Sequence, residues 1–258
     1  NRTAALIHAI AAHQPAAIGL DIYMPEEDAT SPAKVADNLP PGNEAVASAL
    51  RQMPSHETQL AHALRSVPSV LGAAGFDFQT LSGSAGLRTF PVQSTGEGDP
   101  LAFVRNFPWV LASLPELQAA ATGQALLTVQ AQGGVVRRIP LVLAVNGQLV
   151  PGLAAEMLRV GTGSSAIKVA VGARGITGLT VSDVTVPTQP DGEIWLHFAR
   201  ARSGSARYVS AATVLAGKAD PDLLAGKLVL IGLTGAGLSD QRITALGELV
   251  PGVEIQAQ

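Results

Sequence analysis

The sequence predicts a mixed α/β fold in a single domain over 1–258, with a mostly central sheet flanked by helices and with additional β-hairpins. In the first half, a helical pattern precedes a short apolar strand and this order recurs, as in sheets that are covered by helices. In the second half, strand patterns follow one another through turn signals such as Asn146-Gly147, which is typical of hairpins. A chain of this length can bury a substantial core.

The elements follow in chain order from apolar periodicity and from turn residues. Apolar residues at helical spacing predict helices, and short apolar or alternating runs predict strands. Proline and acidic residues over 23–43 predict a surface loop, and 76–97 is too irregular to assign. The predicted helices are 3–13, 43–66 with a break at Pro54, short turns within 108–121, a helix that begins at Pro151, and 208–215. The predicted strands are 16–22, 67–74, 126–130, 135–145, 165–171, 175–181, 193–198 and 228–231.

The composition excludes several classes of protein and of site. Charged residues are 14% of the chain, against a usual fraction of about 25%, which indicates much buried or partner-covered surface. The net charge of −3 provides no basic surface for nucleic acid. Without cysteine there is no disulfide, thiolate zinc site or cysteine nucleophile. The start lacks a signal peptide and an initiating Met, so we expect a piece of a longer protein.

The C-terminal stretch joins a predicted strand to a glycine-rich loop with charges beside it. The run 228–231 is apolar and bounded by glycine, as in a buried parallel strand, and such a strand often leads to a ligand site. The glycine spacing is G-x-x-G-x-G rather than the dinucleotide pattern G-x-G-x-x-G, and no Lys-Ser or Lys-Thr follows as in a phosphate-binding loop. A structural turn is therefore favoured over an anion cradle. The residues are Gly232, Gly235, Gly237, Asp240 and Arg242.

Nucleophilic and metal chemistry have weak support. Gly83-Ser84-Ala85-Gly86 resembles a nucleophile elbow but misses G-x-S-x-G by one residue, so a loop serine is favoured. The histidines are not spaced as metal ligands on one helical face, and we expect them to be surface or half-buried. They are His8, His13, His56, His62 and His197. We expect no metal site, no cofactor and no catalytic residue in this domain.

Two acidic residues and three arginines are the remaining candidates. Asp21 ends one predicted strand and Asp240 follows another, so the two carboxylates could meet at one edge of the sheet. Arg242, two residues on, offers Asp240 a structural partner. Arg137 and Arg138 are adjacent on a predicted strand, where successive side chains face opposite sides, so one of them points towards a covered face. That arginine either pairs with a buried carboxylate such as Asp21 or Asp240, or binds an anionic ligand; both alternatives stay open.

Four stretches together resemble the second type of the CHASE family, the cyclase- and histidine-kinase-associated sensory extracellular domains. They are IGLDIYMPEED at 18–28, GGVVRRIPLVLAVNGQLVPGLAAEML at 133–158, GEIWLHF at 192–198, and GKLVLIGLTGAGLSDQRITALGELVPGVEIQAQ at 226–258. The last is the most specific. Thr244-Ala245 departs from the family's usual Thr-Pro, and Gln256 stands where the family often has His. Asp21, Arg137, Asp240 and Arg242 coincide with motif positions of the family.

The resemblance implies a periplasmic sensor domain of a bacterial inner-membrane receptor. It implies a first strand upstream of Asn1, one membrane helix before the domain, several membrane helices after it, and a cytoplasmic output domain. We expect that output to be an adenylate or guanylate cyclase; the alternative is a histidine or Ser/Thr kinase. The implied partners are an unknown small molecule or periplasmic protein, the receptor's own membrane helices and a possible second copy. Nucleic acid is not among them.

On this interpretation, the loop at 232–242 transmits the signal towards the membrane, and an interaction between Asp240 and Arg242 holds the loop in place. Two rival functions remain at this stage. One is a hydrolase that uses Asp21 and Asp240 as paired carboxylates. The other is a dimerisation module without a ligand, which the low charged fraction fits and which gel filtration would distinguish from a monomeric sensor.

Overall fold

A computed structural model describes residues 1–79, 86–88, 92–199, 207–234 and 240–258. No helix among these residues is long and apolar enough to cross a membrane. The helices are α1 (Arg2–Ala11), α2 (Pro32–Asp37), α3 (Glu44–Arg51), α4 (His56–Arg65), α5 (Pro115–Ala120), α6 (Leu153–Gly161), α7 (Ala211–Leu215) and α8 (Gly252–Gln256). The strands are β1 (Ala17–Leu20), β2 (Ser69–Phe76), β3 (Val92–Gly96), β4 (Asn106–Phe107), β5 (Trp109–Leu111), β6 (Gly123–Leu126), β7 (Val135–Val136), β8 (Arg138–Pro140), β9 (Val142–Val145), β10 (Gln148–Pro151), β11 (Ile167–Gly172), β12 (Gly175–Val181), β13 (Val184–Pro187), β14 (Glu193–Trp195), β15 (Leu228–Ile231), β16 (Gln241–Thr244) and β17 (Leu249–Pro251).

The predicted mixed α/β class is confirmed, and a five-stranded sheet lies at the centre. β15, β1, β2 and β6 run parallel, in that order. The long strand β2 pairs with β6 through its first half and with the antiparallel β5 through its second half. Because the four parallel strands share one direction, their carboxyl ends lie along the same edge of the sheet.

Helices cover both faces of this sheet. Neighbouring residues of a strand point to opposite faces, and the central strands carry apolar residues on both. On one face, Ile18 and Leu20 of β1 pack against α1, α4 and α5, where Ile7 and Leu64 are fully buried. On the other face, Ala17 belongs to the cluster that β1 and β2 form with α6. A fully buried leucine or isoleucine stabilises the fold by roughly 1.5–3 kcal/mol relative to its exposed state.

Apart from β15, the strands after β6 form small separate sheets and do not extend the central one. The predicted hairpin at Asn146-Gly147 is confirmed between β9 and β10, with φ of 49° and 75° at the two turn residues. The prediction of one long strand over 135–145 is wrong. This segment divides into β7, β8 and β9, which pair with β16, β14 and β10 and so join three different sheets.

Other predicted boundaries are also corrected. The strand placed at 126–130 ends at Leu126, and the loop placed at 23–43 contains the short helix α2. β15 is parallel as predicted, but among the described residues it pairs with β1 alone and lies at the edge of the sheet. Its first residue, Leu228, is 46% exposed, so β15 is not a fully buried strand.

The acidic loop before α2 is fastened to the start of α4. The Asp28 carboxylate lies 2.8 Å from His56 Nδ1 and accepts a hydrogen bond from the Thr30 hydroxyl. Those hydrogen bonds, the one from Thr30 first, lower the pKa of Asp28 to about 2. Ser31 Oγ donates to Glu57 Oε2 at 2.8 Å. The loop that follows β1 is therefore held against the helical face of the sheet.

A buried ion pair within α6 lies beside the start of β6, where Arg159 Nη2 donates to the Thr122 carbonyl at 3.4 Å. Glu156 is 0% exposed, and its two carboxylate oxygens accept from Arg159 Nη2 at 2.6 Å and from Arg159 Nε at 2.8 Å. Arg159 Nη1 also donates to the Ser164 carbonyl at 3.1 Å. Burial raises the pKa of Glu156, and the guanidinium acts in the opposite direction. The two charges compensate each other only while both are present.

Removing one member of this pair should therefore destabilise the fold. We expect Glu156→Leu to lower the free energy of unfolding by about 3–5 kcal/mol, because it leaves a buried guanidinium without its carboxylate. The double variant Glu156→Leu/Arg159→Met should regain most of this loss. Urea denaturation measures both, with Glu116→Leu on the exposed side of α5 as the control. If Glu156→Leu lowers the free energy of unfolding no more than the control does, the expectation is contradicted.

Candidate functional site

A cleft of about 540 Å³ lies at the edge where the parallel strands of the central sheet end. Each of these strands contributes the residues at or just beyond its carboxyl end. In open α/β sheets, ligands bind at this edge. The contributions are Asp21, Ile22 and Tyr23 after β1, Ala74, Gly75 and Phe76 from β2, Leu127, Thr128 and Val129 after β6, and Leu233 after β15.

The C-terminal segment, β16 to α8, forms the rest of the cleft wall. It contributes Asp240, Arg242, Gly252, Ile255 and Gln256. The side-chain amide of Gln256 donates to the Leu127 carbonyl at 3.3 Å, which fastens α8 to the end of β6. The amide of Gly252 donates to the Asp240 carbonyl at 2.9 Å. The cleft therefore has one wall from the central sheet and one from the last residues of the chain.

Two glycines allow close packing around the cleft: Gly232 lets the two walls approach each other, and Gly252 lets the backbone lie against Asp240 within the C-terminal wall. A Cβ at Gly232 would collide with the Val253 side chain of α8, and one at Gly252 would collide with the Asp240 carboxylate. Gly232 is thus required by close packing, in line with the structural turn favoured from the sequence. Gly235 and Gly237 lie outside the described residues, as does most of the Gly83-Ser84-Ala85-Gly86 segment.

The structure brings Asp21, Asp240 and Arg242 together in this cleft. Arg242 Nη2 lies 3.1 Å from Asp240 Oδ1, and both side chains are partly exposed. Asp21 is half-buried, and its backbone amide donates to the Ile231 carbonyl at 2.9 Å. Burial, followed by repulsion from Asp240, raises the pKa of Asp21 from 3.8 to about 6, and Arg242 acts in the opposite direction. The cluster holds two carboxylates and one guanidinium.

Arg137 and Arg138 are not part of this cluster. Arg138 Nη1 donates to Asp191 Oδ2 at 3.0 Å, and Arg138 Nε lies 3.2 Å from Glu193 Oε2 in a geometry that does not make a hydrogen bond. The carboxylate partners of Arg138 are therefore Asp191 and Glu193, and the alternatives Asp21 and Asp240 are wrong. Arg137 Nη1 donates to the Gln132 carbonyl at 3.0 Å.

Sequence reasoning missed several residues of the central sheet that line the cleft. Phe76 fell in a stretch without a readable pattern, and Thr128 was placed inside a strand that in fact ends at Leu126. With the correct end of β6, the rule that ligands meet the carboxyl ends of parallel strands would have found 127–129. The histidines are exposed or half-buried, as predicted.

The raised pKa of Asp21 makes a specific prediction for stability. The penalty for its ionisation is complete above pH 6 and disappears below pH 3.8, because there the carboxyl is protonated in both the folded and the unfolded chain. At pH 7.5, Asp21→Asn should therefore be more stable than the parent chain, by about 2–3 kcal/mol. Urea denaturation at several pH values should show this gain shrinking from pH 7 to pH 4. A gain that does not depend on pH, or a loss, would contradict the assignment.

Comparison with protein families matches residues 1–258 to the family described as CHASE2 domain. No curated protein and no solved structure matches the chain. The match covers the whole chain, including the segments that form both walls of the cleft. The chain belongs to the CHASE2 family of extracellular sensory domains.

Proposed function

We propose that this chain is the periplasmic input domain of a bacterial inner-membrane receptor and that it senses a small ligand in the cleft at the carboxyl edge of the central sheet. The output is a cytoplasmic adenylate or guanylate cyclase, with a histidine or Ser/Thr kinase as the alternative. The observation that carries the proposal is the convergence of Asp21, Asp240 and Arg242 in one cleft of a sensory domain. A concave site with a few convergent polar groups is the usual form of a small-molecule site.

The two-walled construction of the cleft supports a role in signalling. A ligand between the walls would touch the end of β1 on one side and the start of β16 on the other. A ligand shifts a conformational equilibrium only by its difference in affinity for the two states. A cleft whose second wall is the C-terminal segment provides such a difference whenever that segment moves relative to the sheet.

Two sequence-based rivals have different outcomes. CHASE2 is a family of sensory rather than catalytic domains, which argues against the hydrolase hypothesis for Asp21 and Asp240. Self-association of the domain stays a prediction. The partly exposed cross-strand pair Ile243 and Leu249 of the β16–β17 hairpin would be the first surface to examine.

The ion pair at the cleft provides the test in the intact receptor. We expect Asp240→Ala and Arg242→Ala to change the ligand-dependent output at least severalfold, because each removes one charge from the C-terminal wall of the cleft. The measurement is cyclic nucleotide or phosphorylated product in cells, with receptor abundance determined by immunoblot.

The matched control is another exposed arginine–aspartate pair, Arg51 and Asp37, whose charged atoms lie 2.9 Å apart on α3 and α2, outside the residues that line the cleft. Arg51→Ala should leave the output unchanged. Normal responses in both cleft variants, at normal abundance, would refute the proposed site.

A further inference from the structure

We propose that the cleft binds an organic ammonium ion, a protonated amine carried on an apolar body, with the ammonium group between Asp21 and Asp240. This rests on the proposed function and deepens it, since it names the chemistry of the sensed molecule. Three features carry it: the charge of the cluster, the state of the Asp21 carboxylate, and the apolar residues around them.

Among the described residues, the charged side chains that line the cleft leave an excess of one negative charge. They are Asp21, Asp240 and Arg242. The guanidinium is already engaged, because its Nη2 pairs with Asp240 at 3.1 Å and its Nη1 donates to the Gln241 carbonyl at 3.2 Å. A ligand with a single positive charge would neutralise the excess.

Asp21 is the group that the cluster leaves without a direct partner. Within the described residues, its carboxylate makes no hydrogen bond and no ion pair. A half-buried carboxylate without a hydrogen-bonding partner is unfavourable, and a second carboxylate nearby adds repulsion. The raised pKa of Asp21 reflects the same deficit of positive charge. An ammonium group would supply both the missing charge and up to three hydrogen-bond donors.

The remainder of the cleft suits an apolar body. Around the carboxylates lie the side chains of Phe76, Leu127, Val129, Leu233 and Ile255. Leu233 is 49% exposed, so an apolar ligand would remove part of its surface from water. The volume of about 540 Å³ falls within the range of small-molecule sites, roughly 300–1,000 Å³.

The alternatives fit less well. A small anion would face two carboxylates and a guanidinium that is already paired. Ca²⁺ takes six to eight oxygen ligands, whereas the described residues contain no group of three or more histidine or acidic side chains that could hold a metal. The cluster therefore favours a monovalent organic cation.

Three probes with the same ring and nearly the same length separate the candidate charges. They are 2-phenylethylamine, which is cationic at pH 7.5, neutral 2-phenylethanol and anionic phenylacetate. Isothermal titration calorimetry on the 258-residue chain should show 2-phenylethylamine binding at least about tenfold more tightly than 2-phenylethanol, since a charge-assisted hydrogen bond is stronger than a neutral one. Phenylacetate should bind most weakly.

Variants of Asp21 connect the preference to this carboxylate. Asp21→Asn should weaken the binding of 2-phenylethylamine at least about tenfold and leave the affinity for 2-phenylethanol unchanged. The matched control is Asp222→Asn, which removes the same charge from an exposed site in the 3₁₀ turn Pro221–Leu223. This control should change the affinity for neither probe. Because Asp21→Asn is expected to stabilise the fold, a loss of binding would not reflect unfolding.

The pH dependence gives a second readout. Asp21 faces Asp240 and Arg242, and its carboxyl takes up a proton near pH 6 in the free domain. The amine should therefore bind more weakly at pH 5 than at pH 7.5, and this difference should vanish in Asp21→Asn. Phenylalanine distinguishes two sources of the ammonium group: tighter binding than 2-phenylethylamine would identify an amino acid, and weaker binding a free amine. Both results support the proposal.

Several results would overturn the ammonium assignment. They are phenylacetate binding more tightly than the amine, Asp21→Asn binding the amine as well as the parent chain does, Ca²⁺ binding that displaces the amine, or no amine binding at millimolar concentration. If Asp240→Ala or Arg242→Ala then still changes receptor output, ligand sensing in the cleft stands and only the ligand class is wrong. If both variants leave output unchanged at normal abundance, the proposed function itself fails.

Discussion

The cleft depends on one constraint: four parallel strands end along the same edge of the sheet. β15, β1, β2 and β6 share a direction, so the residues after them meet. The sheet offers this edge an apolar floor and the carboxylate of Asp21. The C-terminal segment forms the other wall of the cleft, and burial together with repulsion from Asp240 makes ionisation of Asp21 unfavourable.

The C-terminal segment gives the cleft its electrostatic character. Asp240 is held by a backbone hydrogen bond to Gly252 and by its pair with Arg242. Because Arg242 is shared, it compensates Asp240 more directly than it compensates Asp21. The result is a cleft whose described lining combines a negative excess with apolar side chains.

The sequence predicts the class of fold and the central part of this site for a clear physical reason. The apolar run 228–231 and the run that ends at Asp21 both carry local strand signals, and the parallel-sheet rule brings their ends to one edge. The hairpin at Asn146-Gly147 is equally local. These features are encoded within a few residues of where they appear, and for that reason they can be predicted.

The features that sequence reasoning missed depend on distant partners. The run 135–145 is apolar throughout, and only its three pairings, with strands far apart in the chain, show that it is three strands. Arg138 lies close to Asp191 and Glu193 because β14 pairs with β8. No local signal in the sequence encodes that pairing. The edge position of β15 likewise follows from strand order and not from its own residues.

The most direct measurement is the titration of the Asp21 side chain in the 258-residue chain by carbon-detected NMR, with Asp21→Asn to assign the signal. Burial of Asp21, followed by repulsion from Asp240, predicts a pKa of about 6, which should fall when 2-phenylethylamine is added. A pKa near the ordinary 3.8, unchanged by the amine, would contradict the account of this cleft as a site for a cationic ligand.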